Sequence, residues 1–121
     1  MDEQSVMEKF MLLSELSREE AEPWRGLCHW GIASVFGRLR KDVDLIAWGD
    51  ALSYAIATMV YYKYTLRRVA QNGSTVFSAG DVKLTERTED IREAAETLYK
   101  EAMASIAHLF EDEVVLLGVR V

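Results

Sequence analysis

The strongest constraint on the fold is a stretch, residues 44–70, in which apolar side chains recur at alternating spacings of three and four. The series is Leu45, Trp48, Leu52, Ala55, Met59, Tyr62, Leu66 and Val69. This spacing predicts an α-helix with a continuous apolar stripe, which we call the heptad seam. A second apolar flank, formed by Ile46, Ile56, Val60 and Tyr64, predicts that the helix is central and contacted on more than one side.

The length of this helix bears on how it packs. At the rise of an α-helix it would extend for about 40 Å, whereas a compact domain of 121 residues is only about 35 Å across. We therefore expect part of the helix to project or to meet a partner. Asn72-Gly73 predicts a left-handed C-cap at its end, with Arg67-Arg68 in the last turns.

Two shorter helices are predicted before it. Residues 5–16 carry apolar side chains at helical spacing and predict an amphipathic helix. Ser17 followed by Glu20 has the form of a capping box, so a new helix begins there. Pro23 leaves two alternatives: a separate short turn after Ser17, or a main helix that begins with Pro23 near its first position.

The second main helix is expected from Trp24 to about Arg40, and its glycines Gly26, Gly31 and Gly37 predict close approach of a neighbouring element. Asp44 is the expected N-cap of the long helix. A last amphipathic helix is expected from Thr88 through Phe110, with a hydroxyl cap and acidic residues in its first turn.

Between the last two helices the pattern changes to that of extended chain. Thr75–Ser78 and Val82–Glu86 alternate apolar and polar residues around Ala79-Gly80-Asp81, which predicts a small β-hairpin or extended arm. The tail, residues 114–121, is rich in β-branched residues and predicts a short strand that pairs with residues 75–86 or with another subunit. The expected fold is therefore mainly α: one four-helix domain over residues 1–121 with a minor β element.

Charge and cysteine content exclude several classes of protein. Fourteen Lys and Arg against twenty Asp and Glu give a net charge of −6, which disfavours a nucleic-acid-binding protein. Arg38-Leu39-Arg40-Lys41 and Arg67-Arg68 are either a local basic patch or cations that complement helix ends. The single cysteine and the acidic N-terminus predict a reducing, cytosolic origin. Asp50 interrupts the most membrane-like run, residues 45–62, so a buried helix is expected there.

No catalytic, cofactor-binding or metal-binding constellation is expected. Cys28 and His29 are adjacent, so on a helix their side chains point about 100° apart and do not share a proton. His29 and His108 belong to no ligand pair at helical spacing on their own helices. Asp50 is either a buried functional acid or, more commonly for such a residue, an outward-facing side chain.

A resemblance rests on the order of several segments. Arg25-Gly26-Leu27-Cys28-His29-Trp30-Gly31-Ile32-Ala33 is followed by Gly37-Arg38-Leu39-Arg40 and by a long helix rich in alanine and aromatic residues. Then come Phe77-Ser78-Ala79-Gly80-Asp81-Val82-Lys83-Leu84, an amphipathic helix and Gly118-Val119-Arg120. Over residues 12–121 this order resembles small prophage-encoded head–tail connector (head-completion, portal-adaptor) proteins, and the similarity is sharpest at residues 78–82.

The resemblance implies a non-catalytic subunit without cofactor that forms a ring of about a dozen copies below the phage portal, through which DNA passes as cargo. It implies localisation in the bacterial cytoplasm and in the virion, with portal and tail proteins as partners. The acidic balance agrees with a surface along which DNA slides without being gripped. The residues expected to matter for assembly are Phe77, Ala79, Gly80, Asp81, Val82 and Leu84.

Two alternatives remain open beside this one. A cytosolic helical adaptor or regulator would act as a dimer through the heptad seam, in which Trp48, Leu52, Met59, Tyr62 and Leu66 form either a subunit contact or the core. An enzyme that uses Cys28 or the histidines is the third.

Overall fold

The computed structural model describes residues 2–75 and 81–111, with side chains for residues 2–70 and 89–111. These described residues contain five α-helices in chain order: α1 (Glu3–Ser14), α2 (Arg18–Ala21), α3 (Arg25–Phe36), α4 (Leu45–Thr75) and α5 (Asp81–Ile106). Short 3₁₀ turns at Glu22–Trp24 and Ala107–Leu109 follow α2 and α5. The predicted mainly helical fold, with four principal helices of which α4 is central, is confirmed; the one-turn α2 is the separate short piece that Pro23 left open as one of two alternatives.

Helix α4 is central because three other helices pack on it: α1, α3 and α5. Tyr62 stacks on Tyr99 and Trp48 meets His108 edge-on, so α5 runs antiparallel to α4. The buried residues form one continuous apolar cluster, in which Phe10 of α1, Val35 of α3, Ile56 of α4 and Ile106 of α5 are fully enclosed.

Local caps fix where the helices begin. The Asp2 carboxylate accepts from the backbone N–H of Ser5 at 2.8 Å. The predicted capping box forms: Ser17 Oγ accepts from the Glu20 N–H at 3.2 Å, and the Glu20 carboxylate accepts from the Ser17 N–H at 3.0 Å. Asp44 Oδ1 accepts from the N–H groups of the second and third residues of α4, at 3.0 and 3.3 Å, as predicted.

Pro23 lies in the 3₁₀ turn between α2 and α3, so the turn after Ser17 is a separate piece and α3 starts only at Arg25. The predicted close approach at glycine occurs at one of the three glycines around α3. A Cβ on Gly31 would lie 3.0 Å from Ile56 Cγ2, whereas a Cβ on Gly26 would have no neighbour within 4 Å. Gly31 therefore sets the spacing between α3 and α4.

The loop between α3 and α4 is fastened to the end of α5. The Arg40 N–H donates to the Leu109 carbonyl at 2.9 Å, and the Glu111 N–H donates to the Arg38 carbonyl at 2.9 Å. Leu39 and Phe110 form an antiparallel bridge, and Arg40 Nε donates to the Phe110 carbonyl at 3.0 Å. This clip between residues 38–40 and 109–111 joins segments that are distant in the sequence.

Several predicted boundaries were wrong. Helix α4 continues through Asn72-Gly73 to Thr75, because helical hydrogen bonding outweighs the roughly 1 kcal/mol penalty of one glycine. Residues 82–86, predicted as a strand, lie in α5, which begins at Asp81 and not at Thr88. Five alternating residues are too few to separate the two periods, and Lys, Leu and Glu favour helix.

No strand pair is therefore found in residues 2–75 and 81–111 beyond the single Leu39–Phe110 bridge. The other half of the predicted hairpin, residues 76–80, lies outside the described residues, and so does the predicted strand at residues 114–121. One flank residue of α4 also departs from expectation. Ile46 is 96% exposed, because no helix of the described part of the chain covers that side of the first turn of α4.

Candidate interaction surface

The residues predicted for assembly divide between two regions. Phe77, Ala79 and Gly80 lie outside the described residues. Asp81, Val82 and Leu84 lie in the first turn of α5, with helical backbone. These three residues are therefore presented from a helix and not from a strand.

The heptad seam is used inside the chain. Leu52 is fully enclosed and Met59 is 5% exposed. Tyr62 stacks on the Tyr99 ring with centroids 5.7 Å apart, and Trp48 lies edge-on to His108 at 5.0 Å. Leu66 is half-buried. Leu52 and Met59 therefore lie in the core and Trp48 packs against it, whereas Tyr62 and Leu66 are half-buried at its edge.

Three cations of α4 lie over aromatic rings. Lys63 Nζ is 5.6 Å from the centroid of Trp30, and the Arg67 guanidinium is 5.1 Å from that of Trp24. Arg68 lies 5.7 Å from the Tyr64 ring and donates to the Tyr64 hydroxyl at 2.8 Å. Because α4 extends to Thr75, Arg67 and Arg68 are not in its last turn as predicted. Their role is to cover aromatic rings, a contact worth about 0.5–1 kcal/mol at exposed sites.

A cleft that we call the Trp30 cleft opens between α3, α4 and α5, with a volume of about 170 Å³. Its aromatic lining comes from Trp30, Tyr62 and Tyr99, and its cations are Arg38 and Lys63. Val35 and Met59, both buried, also line it. Burial raises the pKa of Tyr99, and Arg38 opposes this shift because a cation favours the phenolate. The cleft is thus cationic and aromatic.

Sequence reasoning did not identify the Trp30 cleft. The sequence pattern indicates for Arg38 only a helix-end cation or part of a basic patch, and it indicates no role for Lys63. No local signal marks them, because residues 30, 38, 63 and 99 come from separate parts of the chain that meet only after packing.

A second cavity of about 300 Å³ lies where the end of α1 meets α4 and α5. Leu13, Tyr61, Arg68 and Ile91 line it. Burial raises the pKa of Tyr61, and the neighbouring Tyr64 and Glu15 add to the shift. Neutral tyrosine and aliphatic side chains dominate this cavity, and the nearest cation, Arg68, is held by the Tyr64 hydroxyl.

The Cys28 thiol and His29 do not form a nucleophile–base pair. Cys28 is fully buried and its Sγ lies 3.3 Å from Met7 Sδ. Burial raises the pKa of the Cys28 thiol to about 11, so the thiol is protonated near neutral pH. His29 Nε2 lies 2.6 Å from the Glu3 carboxylate, which also binds Arg25. These contacts join α1 to α3.

The remaining candidates also have ordinary surroundings. Asp50 is fully exposed, with Lys9 at 3.9 Å, so it is the outward-facing side chain of the two alternatives. Within the described part of the chain, no three His, Cys, Asp or Glu side chains come together as a metal site would require. None of the helices in that part combines the length and apolar character needed to cross a membrane.

Comparison with protein-family models, with characterised proteins and with solved structures found no match to this chain.

Proposed function

We propose that the chain is a structural assembly subunit of the phage head–tail connector type, which forms a ring below the portal through which DNA passes. The order of elements supports this proposal. Helix α3 ends at Phe36, immediately before Gly37-Arg38-Leu39-Arg40, and the long α4 and the amphipathic α5 follow. This is the order of helices on which the resemblance to connector proteins rests.

The observation that carries the proposal is the projection of the α4–α5 pair. Helix α4 has 31 residues, which corresponds to about 46 Å, and exceeds the roughly 35 Å diameter of a compact chain of this size. The end of α1 reaches the level of Arg68 and Ile91, where its last residues share a cavity with them. Trp24, just before α3, reaches the level of Arg67. The last turns of α4 and the first turns of α5 therefore extend beyond α1 and α3.

The first turn of α5, at the projecting end of the pair, carries three of the residues predicted for assembly: Asp81, Val82 and Leu84. A projection that contacts a different surface on the next copy makes a heterologous contact, and such contacts close into rings when the rotation between copies permits. The net charge of −6 suits a ring whose lumen passes DNA, because like charge disfavours phosphate contacts.

The alternative of an adaptor that dimerises through the heptad seam has no such support. Leu52 and Met59 are enclosed by the chain's own helices, so a dimer formed through them would first require opening of the core.

Light scattering with size-exclusion chromatography tests the proposal. The full chain should form assemblies of about a dozen copies at high concentration or with a portal protein. Phe77→Asp, in the segment after α4 that the sequence predicts for assembly, should abolish them. The matched control is Ile46→Asp, which also places a charge at a large apolar side chain but at the opposite end of α4, and should leave the assemblies unchanged. Only monomers and dimers under every condition, including with the portal, would refute the proposal.

A further inference from the structure

The Trp30 cleft brings together cations that have no acidic partner among the described residues. No carboxylate of residues 2–70 or 89–111 lies within 4.0 Å of Arg38 or Lys63. Glu96 of α5 accepts from the hydroxyl of Tyr62, which lines the cleft, at 3.4 Å. Glu96 is already paired with Arg92 at 3.0 Å and with Lys100 at 2.8 Å. In a chain of net charge −6, the cleft is a local concentration of positive charge.

The size and lining of the cleft limit what it can bind. Its volume of about 170 Å³ is that of about five or six waters, enough for one or two side chains and too small for a nucleotide. Aromatic rings and the buried Val35 and Met59 favour aliphatic groups, while Arg38 and Lys63 favour carboxylates. The matching ligand is a peptide in which acidic residues stand beside aliphatic residues.

The chain contains such a peptide immediately after its last described residue. Residues 112–117 read Asp-Glu-Val-Val-Leu-Leu. The last described residue, Glu111, donates its N–H to the Arg38 carbonyl at 2.9 Å, so the described chain ends beside Arg38 of the cleft. Because each further residue adds at most about 3.3–3.6 Å, the chain length allows the carboxylates of residues 112 and 113 to reach Arg38. Six residues span at most about 20 Å, which suffices to follow the cleft.

The sequence predicts that the tail, residues 114–121, pairs as a strand with residues 75–86. The described part of that stretch cannot form such a pair. Residues 82–86 belong to the first turns of α5 and have helical backbone, so this stretch offers no strand edge. We propose that the Trp30 cleft is the docking site for residues 112–117 of the same chain, with the Asp112 and Glu113 carboxylates on Arg38 and Lys63 and aliphatic side chains against the aromatic rings.

A spin label tests this in the full-length protein. A nitroxide attached through Gly118→Cys, just past the docking segment, should broaden the indole N–H resonance of Trp30. The broadening should be lost in the double variant Arg38→Gln/Lys63→Gln. The matched control, Arg67→Gln, removes an α4 cation that covers a different indole, Trp24, and should preserve the broadening at Trp30.

Two further measurements keep the test decisive. If the double variant fails to fold, the spin-labelled chain with the unmodified cleft is measured in about 1 M salt instead. The Debye length then falls to about 3 Å and exposed ion pairs are screened, so the broadening at Trp30 should decrease. A mixture of chains that carry the nitroxide and isotope-labelled chains that carry no nitroxide detects contacts between copies. Three results would overturn the proposal: no broadening at Trp30, equal broadening in the double variant, or broadening only in the mixed sample. None of these results bears on ring formation.

Discussion

The contact at Gly31 gives the sharpest test of how this fold is packed. A Cβ at this position would lie 3.0 Å from Ile56 Cγ2, 3.7 Å from Val60 Cγ2 and 3.8 Å from Met59 Sδ. Carbon atoms in contact prefer about 3.5–4.0 Å, so the contact with Ile56 is too short by at least about 0.5 Å. Ile56 is fully enclosed, and its branched Cβ restricts rotation away from the new methyl group.

The expected magnitude follows from two opposing effects. Alanine in place of glycine inside a helix gains about 1 kcal/mol, and overpacking of an enclosed site costs about 1–3 kcal/mol. Gly31→Ala should therefore leave stability unchanged or lower it by up to about 2 kcal/mol. Gly49→Ala is the matched control, since Gly49 is also inside a helix and a Cβ there meets nothing within 4 Å. It should raise stability by up to about 1 kcal/mol.

Thermal unfolding measures this difference. At about 2.1 cal/mol/K per residue, 1 kcal/mol corresponds to about 4 °C in Tm for this chain, so the two variants should differ by about 4–12 °C. Ile56→Leu removes the Cγ2 methyl group while keeping the side-chain volume, and should relieve the clash when combined with Gly31→Ala. Equal increases in Tm for Gly31→Ala and Gly49→Ala would refute the view that Gly31 sets the α3–α4 spacing.

Three further predictions concern single sites. Glu15 ends α1 with a positive φ of 61°, a conformation that glycine adopts without strain. Glu15→Gly should therefore raise the free energy of unfolding in urea by about 1 kcal/mol. The control Glu8→Gly, within the same helix, should lower it by a similar amount. A loss on Glu15→Gly would refute the conformational argument. Asp44→Ala removes the N-cap of α4 and should lower the midpoint of urea unfolding by the equivalent of about 1 kcal/mol; an unchanged midpoint would show that the cap adds nothing. Burial raises the pKa of the Cys28 thiol from 9.0 to about 11. Iodoacetamide near pH 8 should therefore alkylate the native thiol at least about 100-fold more slowly than the urea-unfolded thiol. Equal alkylation rates would contradict the burial of Cys28.

The same Cys28 shift gives stability a pH dependence with a defined sign. The unfolded thiol loses its proton near pH 9, whereas the folded thiol keeps its proton until about pH 11. The folded state therefore binds more protons across this window, and this contribution to stability decreases as pH rises from 9 to 11. Cys28→Ala should remove that part of the slope in a series of urea titrations. A slope identical to that of the unmodified chain would show that the thiol makes no such contribution.

The sequence by itself determined the helices whose signals are local. The heptad seam sets the period of α4, Ser17 with Glu20 forms the capping box of α2, and Asp44 caps α4 through the N–H groups of its second and third residues. Each of these depends on residues within one or two turns of each other, so the pattern can be read directly from the chain. The same holds for Cys28 and His29, whose separation follows from helical geometry alone.

Only the tertiary structure decided the features that depend on packing between distant segments. Gly26, Gly31 and Gly37 are equivalent in the sequence, yet only Gly31 faces the side chains of α4. Arg38 and Lys63 line one cleft together with aromatic rings from α3 and α5. No local sequence pattern predicts this arrangement. The sequence of residues 82–86 predicts a strand because a window of five residues is consistent with both the strand period and the helix period. Whether this stretch is helical depends on how it continues into α5.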